Sequence, residues 1–118
     1  MADPLFDHPG LEVDVAQLRD ALDRDAVTLV DVREPYEWEA GRIPGAVHVA
    51  LHELGARANE LDRSRPIVFQ CRVGGRSAMA AQAFREAGVD AWSLRGGILD
   101  WAAAGHPLTP EDGTVADH

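Results

Sequence analysis

The feature that most constrains the fold of this chain is a regular alternation of short apolar runs with segments of helical periodicity. The runs lie at 11–13, 27–32, 46–50, 67–70 and 91–94. Continuous apolar runs of this length, bounded by turn residues and rich in Val and Ile, are typical of strands covered on both faces. Strands that alternate with helices predict an α/β fold with a mainly parallel sheet.

Helices are predicted between the strands. Asp14 is a typical N-cap, and Gln17 follows it by three residues, which predicts a helix over 15–22. An Ala-rich stretch over 77–87 that ends before Gly88 predicts another helix. Shorter helical segments are predicted at 35–41, at 51–61, and after Gly96-Gly97 through Trp101 to a point near Gly105. The middle of these carries apolar residues at helical spacing, at Leu51, Leu54, Ala58 and Leu61.

The length and the end segments predict one folded domain over 11–105. A chain of 118 residues suits a single domain. Residues 1–10 hold two prolines and a glycine, and we expect a loose N-terminal arm there. Residues 106–118 are polar and acidic with two prolines, which predicts a flexible C-terminal tail.

The composition limits the partners and the compartment. The formal net charge is −9, with 20 acidic and 11 basic residues, which argues against binding to nucleic acid or to an anionic membrane. A lone cysteine is typical of a reducing compartment. Residues 1–10 lack the pattern of a secretory signal, and no apolar run is long enough to span a bilayer. We therefore expect a cytoplasmic protein.

The loop that follows the strand at 67–70 combines several features of a reactive cysteine site. Its sequence from residue 71 to residue 77 is Cys-Arg-Val-Gly-Gly-Arg-Ser. It lies at the carboxyl end of a predicted parallel strand and at a helix N-terminus, where unpaired N–H groups favour anions. Gly74 and Gly75 allow the backbone to form an anion-binding nest, and Arg72 and Arg76 add positive charge. These features favour a thiolate at Cys71.

Each of these residues also has a simpler interpretation. A single cysteine is often a small buried apolar residue, the glycines could form an ordinary turn, and most arginines are solvated. No histidines have metal-ligand spacing, since His48 and His52 straddle a predicted strand end and helix start. We therefore expect no metal site.

Three motifs in this order resemble those of the rhodanese family. The loop from Cys71 to Arg76, with four residues between the two, resembles the rhodanese active-site loop. Residues 31–38 resemble the N-terminal rhodanese motif, and 94–101 resemble the C-terminal motif. The resemblance covers residues 11–104 and lies on Asp31, Arg33, Glu37, Gly41, Ile43, Pro44, Gly45, Leu94, Gly96, Gly97 and Trp101. Arg42 departs from the pattern, because many members carry His there.

The resemblance implies a single-domain rhodanese with a five-stranded, mostly parallel sheet that helices flank on both faces. It implies that Cys71 takes sulfur from a small anionic donor such as thiosulfate, forms a persulfide and passes the sulfur to cyanide, a thiol or a partner protein. Backbone N–H groups of residues 72–76, including Val73, would hold the anion. Asp31 and Arg33 would support the site, and Ser77 would cap the helix or bond within the loop. No metal or organic cofactor is implied.

Two alternatives remain open at this stage. Phosphatases and arsenate reductases of the same fold use a loop that is one residue longer, which favours sulfur chemistry for the loop of four residues between Cys71 and Arg76. A rhodanese-like module can also bind or regulate a partner without catalysis, although such modules often lack the cysteine that this chain has. Fold alone does not decide among them.

Overall fold

Five parallel strands form one sheet in the computed structural model, which describes residues 4–118. The order across the sheet is β1-β5-β4-β2-β3, and every neighbouring pair is parallel. The strands are β1 (Glu12–Val13), β2 (Thr28–Asp31), β3 (Val47–His48), β4 (Ile67–Gln70) and β5 (Ala91–Leu94). The helices are α1 (Val15–Asp23), α2 (Pro35–Ala40), α3 (Leu54–Arg57), α4 (Gly75–Glu86) and α5 (Gly97–Ala103).

Alternate residues of the central strands face opposite sides of the sheet, because successive strand side chains point in opposite directions. Val68 of β4 belongs to a core cluster with Leu18 of α1 and Trp101 of α5. Its neighbour Phe69 belongs to a second cluster with Ala81 of α4. The predicted α/β architecture, with helices on both faces of a parallel sheet, is therefore confirmed.

Two elements differ from the sequence-based expectation. The run at 46–50 was expected to be a buried strand, but the regular strand covers only Val47–His48, and Val47 is 46% exposed. Val49 and Ala50 are buried as expected, and the Val49 N–H still donates to the carbonyl oxygen of Asp31 at 3.0 Å. β3 is an edge strand of the described sheet and pairs with β2 alone. The helix expected over 51–61 is broken into α3 between two 3₁₀ turns, although Leu54 and Leu61 still reach the core.

The end segments contact the domain at defined points. Residues 1–3 of the predicted arm lie outside the described residues, but Phe6 is buried and packs edge-on against Trp92, with 5.2 Å between ring centroids. In the predicted tail, Leu108 and Val115 pack against the core. Apolar side chains within both segments anchor them, whereas their mobility in solution stays a prediction.

No helix within residues 4–118 combines the length and the apolar content needed to cross a membrane.

Candidate active site

The sulfur of Cys71 lies at the carboxyl end of β4, directly before the loop that leads into α4. Cys71 is only 1% exposed. Its Sγ accepts a hydrogen bond from the Gly74 N–H at 3.1 Å and a longer one from the Ser77 N–H at 3.5 Å. Gly74 adopts a φ of 111°, a left-handed conformation that glycine reaches without strain. Both N–H groups therefore point at the sulfur, where backbone donors can bind an anionic group.

Ser93, a residue that no sequence motif indicated, also lies behind the sulfur. The Ser77 Oγ lies 3.5 Å from the Cys71 Sγ and 2.8 Å from the Ser93 Oγ, and all three residues are buried. The Ser77 hydroxyl also donates to the carbonyl oxygen of Gly74 at 3.2 Å, so Ser77 bonds within the loop and Ser93 of β5 supports it. The available signal was a serine inside the otherwise apolar run of β5.

Backbone hydrogen bonds from the start of α5 hold the cysteine loop in its orientation. The N–H groups of Ile98 and Leu99 donate to the carbonyl oxygens of Cys71 at 2.9 Å and of Arg72 at 3.1 Å. A Cβ at Gly97 would overlap both carbonyl oxygens, and Gly97 has a φ of 60°. Only glycine fits this close approach. The C-terminal motif thus binds the loop carbonyls and leaves the loop amides free to face the sulfur.

Arg76 closes the loop against α2 by a paired contact with Glu37. Its Nη1 and Nη2 donate to the two carboxylate oxygens of Glu37 at 2.8 and 3.0 Å. The Glu37 side chain is fully buried. We expected Arg76 to supply positive charge to the site, but here Glu37 compensates that charge. The geometry is that of a clamp between the loop and α2.

The Glu37–Arg76 clamp predicts a pH dependence of stability. Burial raises the pKa of Glu37, but hydrogen bonds from Arg76 and from the Glu34 N–H outweigh burial, so the pKa lies below its ordinary value of 4.5. A carboxyl with a lowered folded pKa stabilises the fold above the unfolded pKa, and this contribution is lost as the pH falls through the folded value.

We therefore expect Glu37→Gln to be less stable than the wild type near neutral pH and the difference to shrink in acid. Urea unfolding from about pH 7 to about pH 3 measures it. Glu60→Gln, which removes an exposed carboxylate paired with Arg57, is the control and should follow the wild type. If the loss in the free energy of unfolding of Glu37→Gln were the same at every pH, the ionised carboxylate would not be the source of the stabilisation.

Asp31 and Arg33 form a second, separate pair behind the loop. Both side chains are fully buried, and the Arg33 Nη2 lies 2.7 Å from the Asp31 Oδ2. The same Nη2 donates to the carbonyl oxygen of Gly41 at 2.8 Å, and His48 bonds to the carbonyl oxygen of Arg33 at 2.7 Å. Neither carboxylate nor guanidinium bonds to the loop from Cys71 to Ser77 within the described residues. The pair instead fixes the connection from α2 to β3.

A cleft of about 300 Å³ opens over the sulfur. The Val73 side chain is exposed at this cleft, whereas the Arg72 side chain is three-quarters buried. The residues that line the cleft are Cys71, Arg72, Val73, Gly75, Arg76 and His118. The structure thus gathers the predicted loop residues at one place and leaves Asp31 and Arg33 behind it. Larger surface grooves lie beside Trp92 and Arg95, away from the thiol.

A parallel sheet that presents a cysteine loop between a strand and a helix N-terminus defines a class of α/β domains with a thiol at the carboxyl edge of the sheet. Within that class, the chain belongs to the rhodanese-like domain family, whose model matches residues 14–104. The match includes all three motifs around the loop.

Several similar curated proteins have names that refer to sulfur transfer, and another is an HTH-type transcriptional regulator of Mycobacterium tuberculosis. A sulfurtransferase of Allochromatium vinosum is 36% identical over 104 residues, which cover 86% of this chain and 97% of that protein. Three further curated relatives are longer, and the chain spans 41%, 59% and 50% of their lengths.

Two solved structures share the fold closely. A rhodanese-related protein of Thermoplasma volcanium superposes with a TM-score of 0.79 at 29% identity, over 85% of this chain and 98% of that one. A protein of unknown function from Rhodopseudomonas palustris, described as a possible tyrosine phosphatase, has a TM-score of 0.75 at 26% identity and covers 83% of each chain.

Proposed function

We propose that this protein is a sulfurtransferase in which the thiolate of Cys71 carries sulfane sulfur as a persulfide. The observation that carries the proposal is the Cys71 sulfur itself, which accepts hydrogen bonds from two backbone N–H groups at the base of a cleft. A nucleophilic cysteine needs this kind of stabilisation of its negative form. The sulfurtransferase relative that the chain covers almost completely supports the same activity.

The proposed reaction has two steps. The Cys71 thiolate attacks the outer sulfur of thiosulfate, a new S–S bond forms, and the S–S bond of the donor breaks so that sulfite leaves with the electron pair. Cyanide or an acceptor thiolate then attacks the terminal sulfur, and Cys71 leaves as a thiolate. Each step conserves charge and needs no outside oxidant or reductant, so the proposal includes no metal and no organic cofactor.

In a persulfide the negative charge lies on the terminal sulfur, one atom beyond the Cys71 Sγ. The loop is suited to bind the charge at that position. Gly74 and Gly75 place no side chain over the cleft, so their amides can approach a terminal sulfur. The Arg72 side chain lines the cleft and supplies positive charge for an anionic donor. The carbonyls of Cys71 and Arg72 are bound to α5 and cannot turn toward the anion.

The proposal also covers the sulfur acceptor and the cellular compartment. Cyanide is a convenient acceptor in the laboratory, and a low-molecular-weight thiol or a partner protein would take the sulfur in the cell. A free thiolate needs a reducing compartment, so we place the activity in the cytoplasm.

Steady-state kinetics test the two-step scheme. Initial rates of thiocyanate formation are measured while thiosulfate and cyanide are varied together. We expect parallel double-reciprocal lines, because the donor product leaves before the acceptor reacts. Intersecting lines would indicate that both substrates bind at once and would contradict a covalent carrier. A folded protein without any turnover of sulfur donors would favour the non-catalytic module.

The phosphatase alternative, which the description of the Rhodopseudomonas palustris structure raises, gives a further prediction. We expect no hydrolysis of p-nitrophenyl phosphate above a Cys71→Ser blank. A phosphoryl group needs several oxygens bound at once and in-line attack, and the loop is one residue shorter than the phosphatase pattern. In addition, residues 72–76 contain no acid that could protonate the leaving group. Cysteine-dependent hydrolysis at a rate comparable to sulfur transfer would overturn the sulfur assignment.

A further inference from the structure

The segment from residue 107 to residue 118 runs back across the domain toward the thiol. Backbone hydrogen bonds pair Arg42 with Thr109 in both directions, at 3.0 and 2.8 Å. Further along, the Thr114 N–H donates to the carbonyl oxygen of Ala40 at 2.8 Å. A Cβ at Gly41 would overlap the Thr114 backbone, so the glycine makes room for the segment. The segment is therefore seated beside the end of α2.

From this seat the segment reaches the cleft over Cys71. His118 lines the cleft together with the loop, and the Asp117 Oδ1 lies 3.4 Å from the Arg72 Nη2. Within residues 4–118, Arg72 is the cleft arginine whose charge no buried carboxylate compensates, because Arg76 is paired with Glu37. The Arg72 Nε is also buried without a hydrogen-bond partner among residues 4–118. The carboxylate of Asp117 is thus paired with the guanidinium that an anionic donor would bind.

We propose that Asp117 is a specificity-determining residue, which competes with anionic sulfur donors for Arg72 and thereby disfavours small dianions relative to uncharged sulfur compounds. This proposal rests on the sulfurtransferase function for its physiological meaning. The Asp117 side chain is fully exposed, so its pairing with Arg72 is weak and a donor can displace it. Its effect should fall on donor binding, because Asp117 does not touch the sulfur of Cys71.

The first experiment compares Asp117→Asn with Asp112→Asn. Both variants change the net charge equally, but Asp112 is an exposed residue of the same segment outside the cleft. For Asp117→Asn we expect kcat/KM with thiosulfate to rise about two- to fivefold at low ionic strength, through a lower KM with kcat nearly unchanged. The gain should largely disappear in about 0.5 M salt. Asp112→Asn should follow the wild type.

A cycle with Arg72 separates competition from simple repulsion. Arg72→Ala should raise the KM for thiosulfate, since it removes the cleft cation. In that background Asp117→Asn should have little further effect, because no cation remains to compete for. If Asp117→Asn raised kcat/KM for thiosulfate equally with and without Arg72, the proposed competition would be wrong. An equal rise in Asp112→Asn would also contradict it, because the effect would then come from the net charge of the protein alone.

Alkylation of Cys71 tests the same inference without sulfur transfer. The rate with iodoacetate, an anion, is divided by the rate with uncharged iodoacetamide. We expect Asp117→Asn to raise this ratio several-fold and Asp112→Asn to leave it unchanged. A raised ratio in a protein that does not turn over thiosulfate would support the role of Asp117 while the proposed sulfur transfer fails. Normal turnover with an unchanged ratio and an unchanged KM would refute the inference alone.

Discussion

Replacing Cys71 with serine is expected to lower thiocyanate formation from thiosulfate and cyanide by at least about a thousandfold. Cys71 is the only cysteine of the chain, so no other thiol can take its place. A serine hydroxyl at this position stays protonated at neutral pH, and the two loop N–H groups do not turn it into a comparable sulfur acceptor. The measurement is the steady-state thiocyanate assay with both purified proteins.

The control for this variant is a measurement showing that it still folds. Serine is close to cysteine in size, so the thermal unfolding midpoint of Cys71→Ser should stay near that of the wild type. Met79→Ser, at an exposed position of α4, tests whether another sulfur-containing side chain contributes, and it should keep full activity. Substantial thiocyanate formation by folded Cys71→Ser would show that the reaction does not pass through this residue.

The largest expected effect on stability comes from Arg33→Met. Removal of the guanidinium leaves the Asp31 carboxylate fully buried without its cation and frees the carbonyl oxygen of Gly41. Breaking a buried pair by removing one partner costs about 3–5 kcal/mol, because the remaining charge stays desolvated. Urea unfolding of both proteins near neutral pH measures the loss in the free energy of unfolding.

Two further variants make this prediction specific. Arg24→Met removes an arginine from an exposed pair with Asp20 on α1 and should change stability by less than about 1 kcal/mol. Combining Arg33→Met with Asp31→Asn removes the stranded charge and should recover part of the loss. Similar losses for Arg33→Met and Arg24→Met would contradict a special role of the buried pair.

Local sequence rules predicted most elements of the fold. The apolar runs at 67–70 and 91–94 became β4 and β5, because both are central strands with helices on each face. Asp14 and Gln17 form the predicted reciprocal cap of α1, with bonds of 2.8 and 2.9 Å. The strand expected at 46–50 was shortened because a position at the sheet edge depends on neighbours that the local pattern does not contain.

The candidate site was predictable where it depends on chain direction and not where it depends on distant partners. A loop after a parallel strand lies at the carboxyl edge of the sheet, so the place of Cys71 followed from the pattern. The pairing of Arg76 with Glu37 joins residues 39 positions apart, and that of Arg72 with Asp117 spans 45 positions. Charge and periodicity say which residues need partners, but only packing decides which partner is near.

The contact of Gly97 with the cysteine loop is another example of a distant partner that the local sequence does not predict, here between backbone atoms. The sequence indicated only that Gly96 and Gly97 lead into the last helix, whereas the structure places Gly97 against the carbonyls of the cysteine loop. This contact connects two motifs that lie more than twenty residues apart. It also explains why the start of α5 belongs to the site, since its N–H groups hold the loop in its orientation.

The intact mass of the protein after incubation with thiosulfate shows whether Cys71 carries sulfur as a covalent persulfide. We expect the wild type to gain the mass of one sulfur atom, cyanide to remove this mass and yield an equal amount of thiocyanate, and Cys71→Ser to gain nothing. An unchanged wild-type mass during active turnover, or the same gain in Cys71→Ser, would contradict a persulfide on Cys71.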